Sequence, residues 1–306
     1  MGRKPYQHIG EFQGWLNMLR ISNSPTVVSN AMVGLAFVIQ GHAAFWSERI
    51  TPPALQMLVP LTLIVVVLLL LYFAGMVLGD AFDVERDTIQ RPDRSIPSGI
   101  ITSRQAWSAG FFMVGLAILV AFGISITAGI STSCLALSVL LYTYLHHARF
   151  LAIPLMGLCR GLTIIVAVSA FSSDYFSQSV WWYVGALFLY TAILTFIGTY
   201  ENNSTKKTSG AIVLMVFPLG IAALAQGSPS PIVIGIAVAF CAWMMFAWKN
   251  FRKAEEGSKH GMHTLLSGFA LLDCVCIASL GEYHIMVIPA LCFVLTVAAH
   301  RKILGT

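Results

Sequence analysis

Ten apolar stretches, at about 24–41, 56–79, 105–123, 127–145, 152–172, 180–200, 210–226, 230–249, 264–280 and 283–300, constrain this 306-residue chain more than any motif does. Most approach the roughly 20 residues that carry a helix across a bilayer. Inside lipid every backbone N–H and C=O must find a partner within the protein, so such runs become helices. Only 10% of the residues are charged and 57% are hydrophobic, with a mean hydropathy of +0.79. A soluble domain carries about 25% charge. The expected fold is all-α: a polytopic membrane helical bundle of nine to ten transmembrane helices, forming one domain over residues 1–306, with the lipid bilayer as its solvent. No long linker or low-complexity segment divides it.

Charge orients the bundle. With ten spans both termini face one side, which then holds 16 of the 18 basic residues, among them Arg20, Arg91, Arg94, Lys206, Lys207, Arg301 and Lys302. Arg49 lies opposite and Arg160 lies within a span. The excess of Lys and Arg makes the first side cytoplasmic. Nine spans would leave Arg301 and Lys302 outside, so ten is the expected count. The pI near 8.9 comes from basic residues in short loops and implies no nucleic-acid partner. The polar, basic N-terminus lacks the pattern of a cleavable signal. Phe12, Trp15, Leu16 and Leu19 predict a short interfacial helix. The six cysteines lie inside apolar stretches and read as small buried side chains, not a disulfide framework.

The densest acidic group follows the second stretch, in Gly79-Asp80-Ala81-Phe82-Asp83-Val84-Glu85-Arg86-Asp87. On a continuing helix, Asp87 returns to within about 20° of Asp80, with Asp83 about 60° away. Three carboxylates on one face repel unless a cation sits between them. Oxygen ligands of this kind suit Mg²⁺, which takes one or two protein carboxylates together with phosphate oxygens. Arg91-Pro92-Asp93-Arg94 then supplies guanidinium forks for phosphate, and the prolines with Ser98-Gly99 break the helix so that the arginines curl back over the acids.

Asp80-x-x-Asp83-x-x-x-Asp87 followed by Arg91-Pro92-x-Arg94-x-Ile96-Pro97-Ser98-Gly99 resembles the first aspartate-rich motif of the UbiA superfamily of intramembrane prenyltransferases. That motif reads Asn-Asp-x-x-Asp-x-x-x-Asp and then Arg-Pro-x-Arg-Pro-Leu-Pro-Ser-Gly, so Gly79 stands where the family has Asn. Met156-Gly157-Leu158-Cys159-Arg160-Gly161-Leu162 is similar to the EboC-type branch. The resemblance implies the UbiA-type helical bundle and a Mg²⁺-dependent transfer of a prenyl group from a prenyl diphosphate to a hydrophobic or aromatic acceptor. It places Asp80, Asp83 and Asp87 on the metal, Arg91 and Arg94 on the diphosphate, and Tyr142 in the pocket near the reacting carbon. Glu201, with Lys206 and Lys207 after it, occupies a reduced second aspartate motif and implies a further metal and diphosphate contact. His146 or His147 stands where the family has a Lys near phosphate, and Asn23 faces the cavity.

Several residues carry two readings. Asn30 in a span predicts a helix–helix hydrogen bond. Tyr142, His146 and His147 fit either a pocket wall or an aromatic and polar interfacial belt. Arg160, roughly 12 Å deep at 1.5 Å per residue, is either a substrate contact or the ion-pair partner of Asp273, the one acid of comparable depth. Lys206 and Lys207 serve equally as diphosphate ligands or as orienting charges. His260 and His263 lack a supporting cluster for a metal. Two other functions remain open: a UbiA-type terpene cyclase, in which the cation is captured within its own chain, and a non-catalytic transporter or lipid-binding membrane protein.

Overall fold

The computed structural model describes residues 10–41, 53–171, 176–200, 210–224, 230–251 and 255–302. An amphipathic helix, α1 (Glu11–Leu19), ends on Arg20 at φ 47°, a left-handed residue that turns the chain through a 3₁₀ turn (Ile21–Asn23) into α2 (Ser24–Gly41). Then follow α3 (Pro53–Phe82), α4 (Val84–Gln90), α5 (Ser103–Ile124), α6 (Ile126–Leu145), α7 (Arg149–Ser169), α8 (Gln178–Tyr200), α9 (Val216–Leu224), α10 (Pro231–Phe251), α11 (Glu255–Ser279) and α12 (Tyr283–Lys302). Helix α1 buries Gly14 and Met18 and leaves Phe12 exposed.

Among the described residues nine helices are long and apolar enough to cross a bilayer, and Ile212–Ala223 is a shorter apolar helix. This chain is a multi-pass membrane protein. The apolar stretch expected at 210–226 forms this shorter helix in its described part. A 3₁₀ turn (Ile212–Met215) precedes α9, and the apolar piece rises only about 18 Å, against a hydrocarbon core of about 30 Å.

The short piece still carries the chain from one end of the bundle to the other. Helices α8 and α11 run antiparallel: Tyr183 bonds Asp273, the Tyr190 hydroxyl donates to the Leu265 carbonyl at 2.7 Å, and Gly198 faces Met262. His300 Nε2 lies 2.7 Å from Asn23 Oδ1, which sets the end of α12 beside the start of α2. At the opposite end Ser230 meets the Tyr283 hydroxyl at 3.4 Å. The chain therefore changes ends between Tyr200 and Ser230, and α1 and the end of α12 share one side.

Helix α2 is central, packed on α3, α7, α11 and α12. Its small and branched residues (Val27, Ala31, Val33, Ala36, Val38) are sealed from both lipid and water. The outer helices instead turn Phe111, Phe112, Leu119, Val238 and Met245 outward, which costs nothing in lipid. Polar groups collect inside, where hydrogen bonds join helices. The cysteines are free thiols; Cys134, contrary to expectation, is exposed on the outside of α6.

Candidate functional site

The acidic stretch continues α3 almost without interruption. Asp83 has φ −86° and ψ 1°, yet its N–H still donates to Gly79 O at 3.1 Å, and the Asp87 N–H donates to Asp83 O at 2.8 Å. The three carboxylates remain on the inner side, with side chains 13% (Asp80), 18% (Asp83) and 7% (Asp87) exposed. Beyond α4 the chain turns back. Ile96 and Ile101 sink into a small apolar cluster with Met18, Val77, Ala81 and Ala106. The Ser95 hydroxyl donates to Gly14 O at 2.9 Å. Gly99 takes φ 78°, a conformation that suits glycine, and a Thr102–Gln105 capping box starts α5. This anchored loop aims Arg94 at the acids.

Arg94 is the cation that the three-acid face requires. Its Nη1 donates to Asp87 Oδ2 at 2.6 Å and to Asp80 Oδ1 at 3.2 Å. A second cation, Arg20, donates from Nη2 to Asp80 Oδ1 at 3.0 Å. Arg20 is held from below, since the Tyr72 hydroxyl donates to its carbonyl at 2.9 Å. The sequence reading had not assigned Arg20 to the site. Its position at the entry to the first span, on the side of Asp80, was the available signal. Arg91 behaves differently from Arg94: it is exposed at the end of α4 and makes no ion pair among the described residues.

Asp83 faces the end of α6. His146 Nδ1–H donates to the Thr143 carbonyl at 2.7 Å, which leaves Nε2 pointing at Asp83 Oδ2, 3.2 Å away. The hydrogen bond that His146 donates to Asp83 is the main reason the His146 pKa is raised, against the opposing effect of burial. Burial pushes the Asp83 carboxyl up, but the His146 hydrogen bond and the charges of His146, His147 and Arg94 together hold it below its usual value. Arg86 donates to His147 Nδ1 at 2.8 Å, so Nε2 of that ring carries the proton and stands 2.9 Å from Asp83 Oδ1. Oδ1 is nonetheless buried without a hydrogen-bond partner. The ligand atoms of Asp83, His146 and His147 all lie within 4.8 Å of one another. Tyr142 is half-buried, its ring 6.1 Å from that of His146.

The expected metal set thus divides in the described residues: Asp80 and Asp87 meet around Arg94, and Asp83 meets the two histidines. Glu201, Lys206 and Lys207 lie outside the described residues. Asn23 sits at this end of the bundle with its side-chain oxygen against His300, whose ring stacks on His263 at 4.4 Å.

Arg160 and Asp273 do not form the expected ion pair. Asp273, fully buried on α11, accepts from Ser29 and Tyr183 and takes two 3.0 Å contacts from Asn30 Nδ2. Asn30 makes the helix–helix bond expected of it. Those neutral donors fill the carboxylate. Arg160 instead donates from Nη2 to Thr26 Oγ1 at 2.6 Å and lies 4.3 Å above the Phe269 ring. Thr26 and Phe269 precede the Asp273 partners by one turn on α2 and α11, so base and acid occupy successive layers. In the second motif, Gly157 and Gly161 face α8: a Cβ on Gly157 would meet the Phe188 carbonyl oxygen at 2.9 Å. They let α7 approach closely while Arg160 points inward.

The UbiA prenyltransferase family matches residues 31–208, more than half of the chain. Digeranylgeranylglyceryl phosphate synthase of Methanoregula boonei is 32% identical over 146 residues, 47% of this chain and 49% of the relative. The enzyme of that name from Methanothrix thermoacetophila is 35% identical over 125 residues, 39% and 43% of the two chains. The chain spans about half the length of these curated relatives or less. Among solved structures, a UbiA homolog from Archaeoglobus fulgidus bound to DMAPP and Mg²⁺ superposes with a TM-score of 0.60 at 15% identity, covering 89% of this chain and 99% of that one. At such identity the likeness speaks for the fold, while the extent of the family match settles membership. This chain belongs to the UbiA prenyltransferase family.

Proposed function

We propose that this chain is a Mg²⁺-dependent intramembrane prenyltransferase that moves a prenyl group from a prenyl diphosphate to a hydrophobic or aromatic acceptor. The observation that carries the reading is the set of three inward carboxylates at one end of an apolar bundle, with Arg94 on Asp80 and Asp87, Arg20 on Asp80, and His146 and His147 on Asp83. The donor set fits the ion: carboxylate oxygens dominate, and Asp83 Oδ1 is buried without a hydrogen-bond partner. Asp80, Asp83 and Asp87 would hold it, with Glu201 of the reduced second motif as a further ligand. When bound, Mg²⁺ neutralises charge on the departing diphosphate.

The chain's own residues account for the rest. Arg94 and Arg20 move from carboxylate to phosphate oxygens, and Arg91, Lys206 and Lys207 add positive charge for the same head. His146 presents its Nε2 proton to phosphate. As the allylic carbon–oxygen bond breaks, its electron pair leaves with the diphosphate. These cations gain more from that charge than from the intact substrate, which is what accelerates a reaction. The apolar interior excludes water from the allylic cation, and Tyr142 offers it a ring face. The acceptor forms the new bond and loses its proton. We read the site as lying on the cytoplasmic side, where the basic loops concentrate, and residues 1–306 as one catalytic domain.

The test is mass spectrometry of products from purified protein, Mg²⁺, prenyl diphosphates of several lengths and mixed acceptors. Prenylated acceptor with released diphosphate supports the reading. A cyclised hydrocarbon formed without acceptor identifies a cyclase instead, and substrate binding with no diphosphate release removes catalysis altogether.

A further inference from the structure

The turn that delivers Arg20 to the rim is tied to the last helix. Arg20 takes φ 47°, a conformation that a residue with a Cβ keeps only where its surroundings impose it. Two hydrogen bonds converge on its carbonyl, from the Asn23 N–H at 3.1 Å and from the Tyr72 hydroxyl at 2.9 Å. The Asn23 side chain is fixed in turn between two rings. Its amide lies against the Tyr72 hydroxyl, and its Oδ1 lies 2.7 Å from His300 Nε2. The Tyr72 proton is committed to the Arg20 carbonyl, so Asn23 offers that hydroxyl its NH₂ and turns its oxygen to α12. His300 Nε2 therefore carries the proton and donates it to Asn23. The His300 ring is nine-tenths buried and stacked on His263, and its Nδ1 has no hydrogen-bond partner among the described residues.

We propose that His300 is a positioning residue for the diphosphate head: by holding Asn23 it fixes the turn that aims Arg20 at Asp80. The inference rests on the prenyl-transfer reading above. An asparagine amide that nothing orients presents its oxygen or its NH₂ with similar ease. With His300 on the oxygen, the NH₂ stays on the side of Tyr72 and Arg20, so this part of the rim offers donors and positive charge to an arriving anion. Without His300 the amide turns over and sets its oxygen against the Tyr72 hydroxyl. The Tyr72 proton then leaves the Arg20 carbonyl for Asn23. The left-handed residue loses one of the two bonds that hold it, and its guanidinium loses the 3.0 Å contact with Asp80 Oδ1. The charge of Arg20 is unchanged; its aim is what fails. Because His300 is 277 residues from Asn23 in the chain, this one bond makes the last span part of a site built on the first two.

The experiment is binding of geranyl thiolodiphosphate, with Mg²⁺, to the protein in nanodiscs. His300→Phe keeps the stacked ring and removes the donor, and binding about tenfold weaker than wild type is expected, the value of one charge-assisted hydrogen bond. His300→Gln places an amide N–H where Nε2 stood and is expected to bind within about twofold of wild type. The shorter His300→Asn does not reach, and is expected to bind as weakly as the Phe variant; this pair of equally polar variants decides the matter should His300→Phe fail to fold. Thr296→Val, one turn back on α12, removes a hydroxyl bonded to the Cys292 carbonyl and leaves Asn23 untouched, so wild-type binding is expected. On an Asn23→Ala background, His300→Phe is expected to cost nothing further. Undiminished binding in His300→Phe, equal binding by the Gln and Asn variants, an equal loss in Thr296→Val, or an additive loss on Asn23→Ala overturns the proposal. Failure of wild type itself to bind overturns the prenyl-transfer reading, and this inference with it, before any variant is compared.

Discussion

Two charged layers a few helical turns apart handle the same physical problem in opposite ways. At the rim, acids and bases touch: Arg94 bridges Asp80 and Asp87, Arg20 adds to Asp80, and the histidines flank Asp83. In the interior, Asp273 is solvated by Ser29, Asn30 and Tyr183, and Arg160 by Thr26 and Phe269, with no ion pair between them. Direct pairs at the rim set each base within reach of its acid, which on the proposed reading suits groups that let go of each other when a diphosphate arrives. Buried charges wrapped in neutral donors are hard to disturb, which suits a joint between helices. On the proposed reading the rim serves exchange, whereas the Asp273 layer joins α2, α8 and α11.

The sharpest way to break this comparison is Asp273→Ala. Three donors lose their acceptor and Arg160 loses its nearest negative charge, so a stability loss of about 2–4 kcal/mol is expected, read as a lower melting temperature in detergent. Near-wild-type melting would show that the interior layer is no joint. At the rim, Asp83→Asn is expected to lower diphosphate release by about 100-fold or more while costing under about 1 kcal/mol of stability. Arg94→Lys keeps charge but loses the planar fork, and a drop in turnover of about tenfold is expected, equivalent to ~1.4 kcal/mol of barrier. Equal loss of folding and activity in these variants would erase the distinction.

Smaller effects sharpen it further. The His146 pKa is raised, so the stabilisation it draws from Asp83 is complete below the ordinary imidazole value and is lost as pH rises through the raised one. The Asp83 pKa is lowered, so its share is present above the ordinary carboxylate value and is lost as pH falls through the lowered one. The pair thus stabilises across the window between those two values. Thermal melts against pH should show this in wild type, and a flatter profile in His146→Gln, with a difference below about 1 kcal/mol. Gly79→Asn should be the mildest change. A Cβ there meets only Thr143 Cγ2 at 3.9 Å, so stability should stay within about 0.5 kcal/mol, and the added amide should lower the Mg²⁺ concentration needed for half-maximal rate.

Much of this was legible because it depends on residue type and short spacing. Asp80, Asp83 and Asp87 share an inner face by helical arithmetic, and Arg94 returns to them just past Pro92. What escaped has other causes. Arg20 reaches Asp80 from a left-handed backbone conformation, and a non-glycine residue gives no sequence signal for that. The Asp273 partners lie 90 to 244 residues away in the chain, so depth alone proposed Arg160 as its partner when α2 already supplied better donors. Hydropathy also counted 210–226 among the spans because it weighs apolar side chains and does not register the 3₁₀ turn of Ile212–Met215.

The central claim is that the rim carboxylates hold a divalent ion through which diphosphate departs. Diphosphate release from geranyl diphosphate by wild type and by Asp83→Asn, titrated with Mg²⁺ from chelated to saturating, addresses it most directly. The account predicts release in wild type that rises with Mg²⁺, stops on chelation and is absent in the variant at every concentration. Release that survives chelation, or an Asp83→Asn titration that overlays wild type, would contradict it.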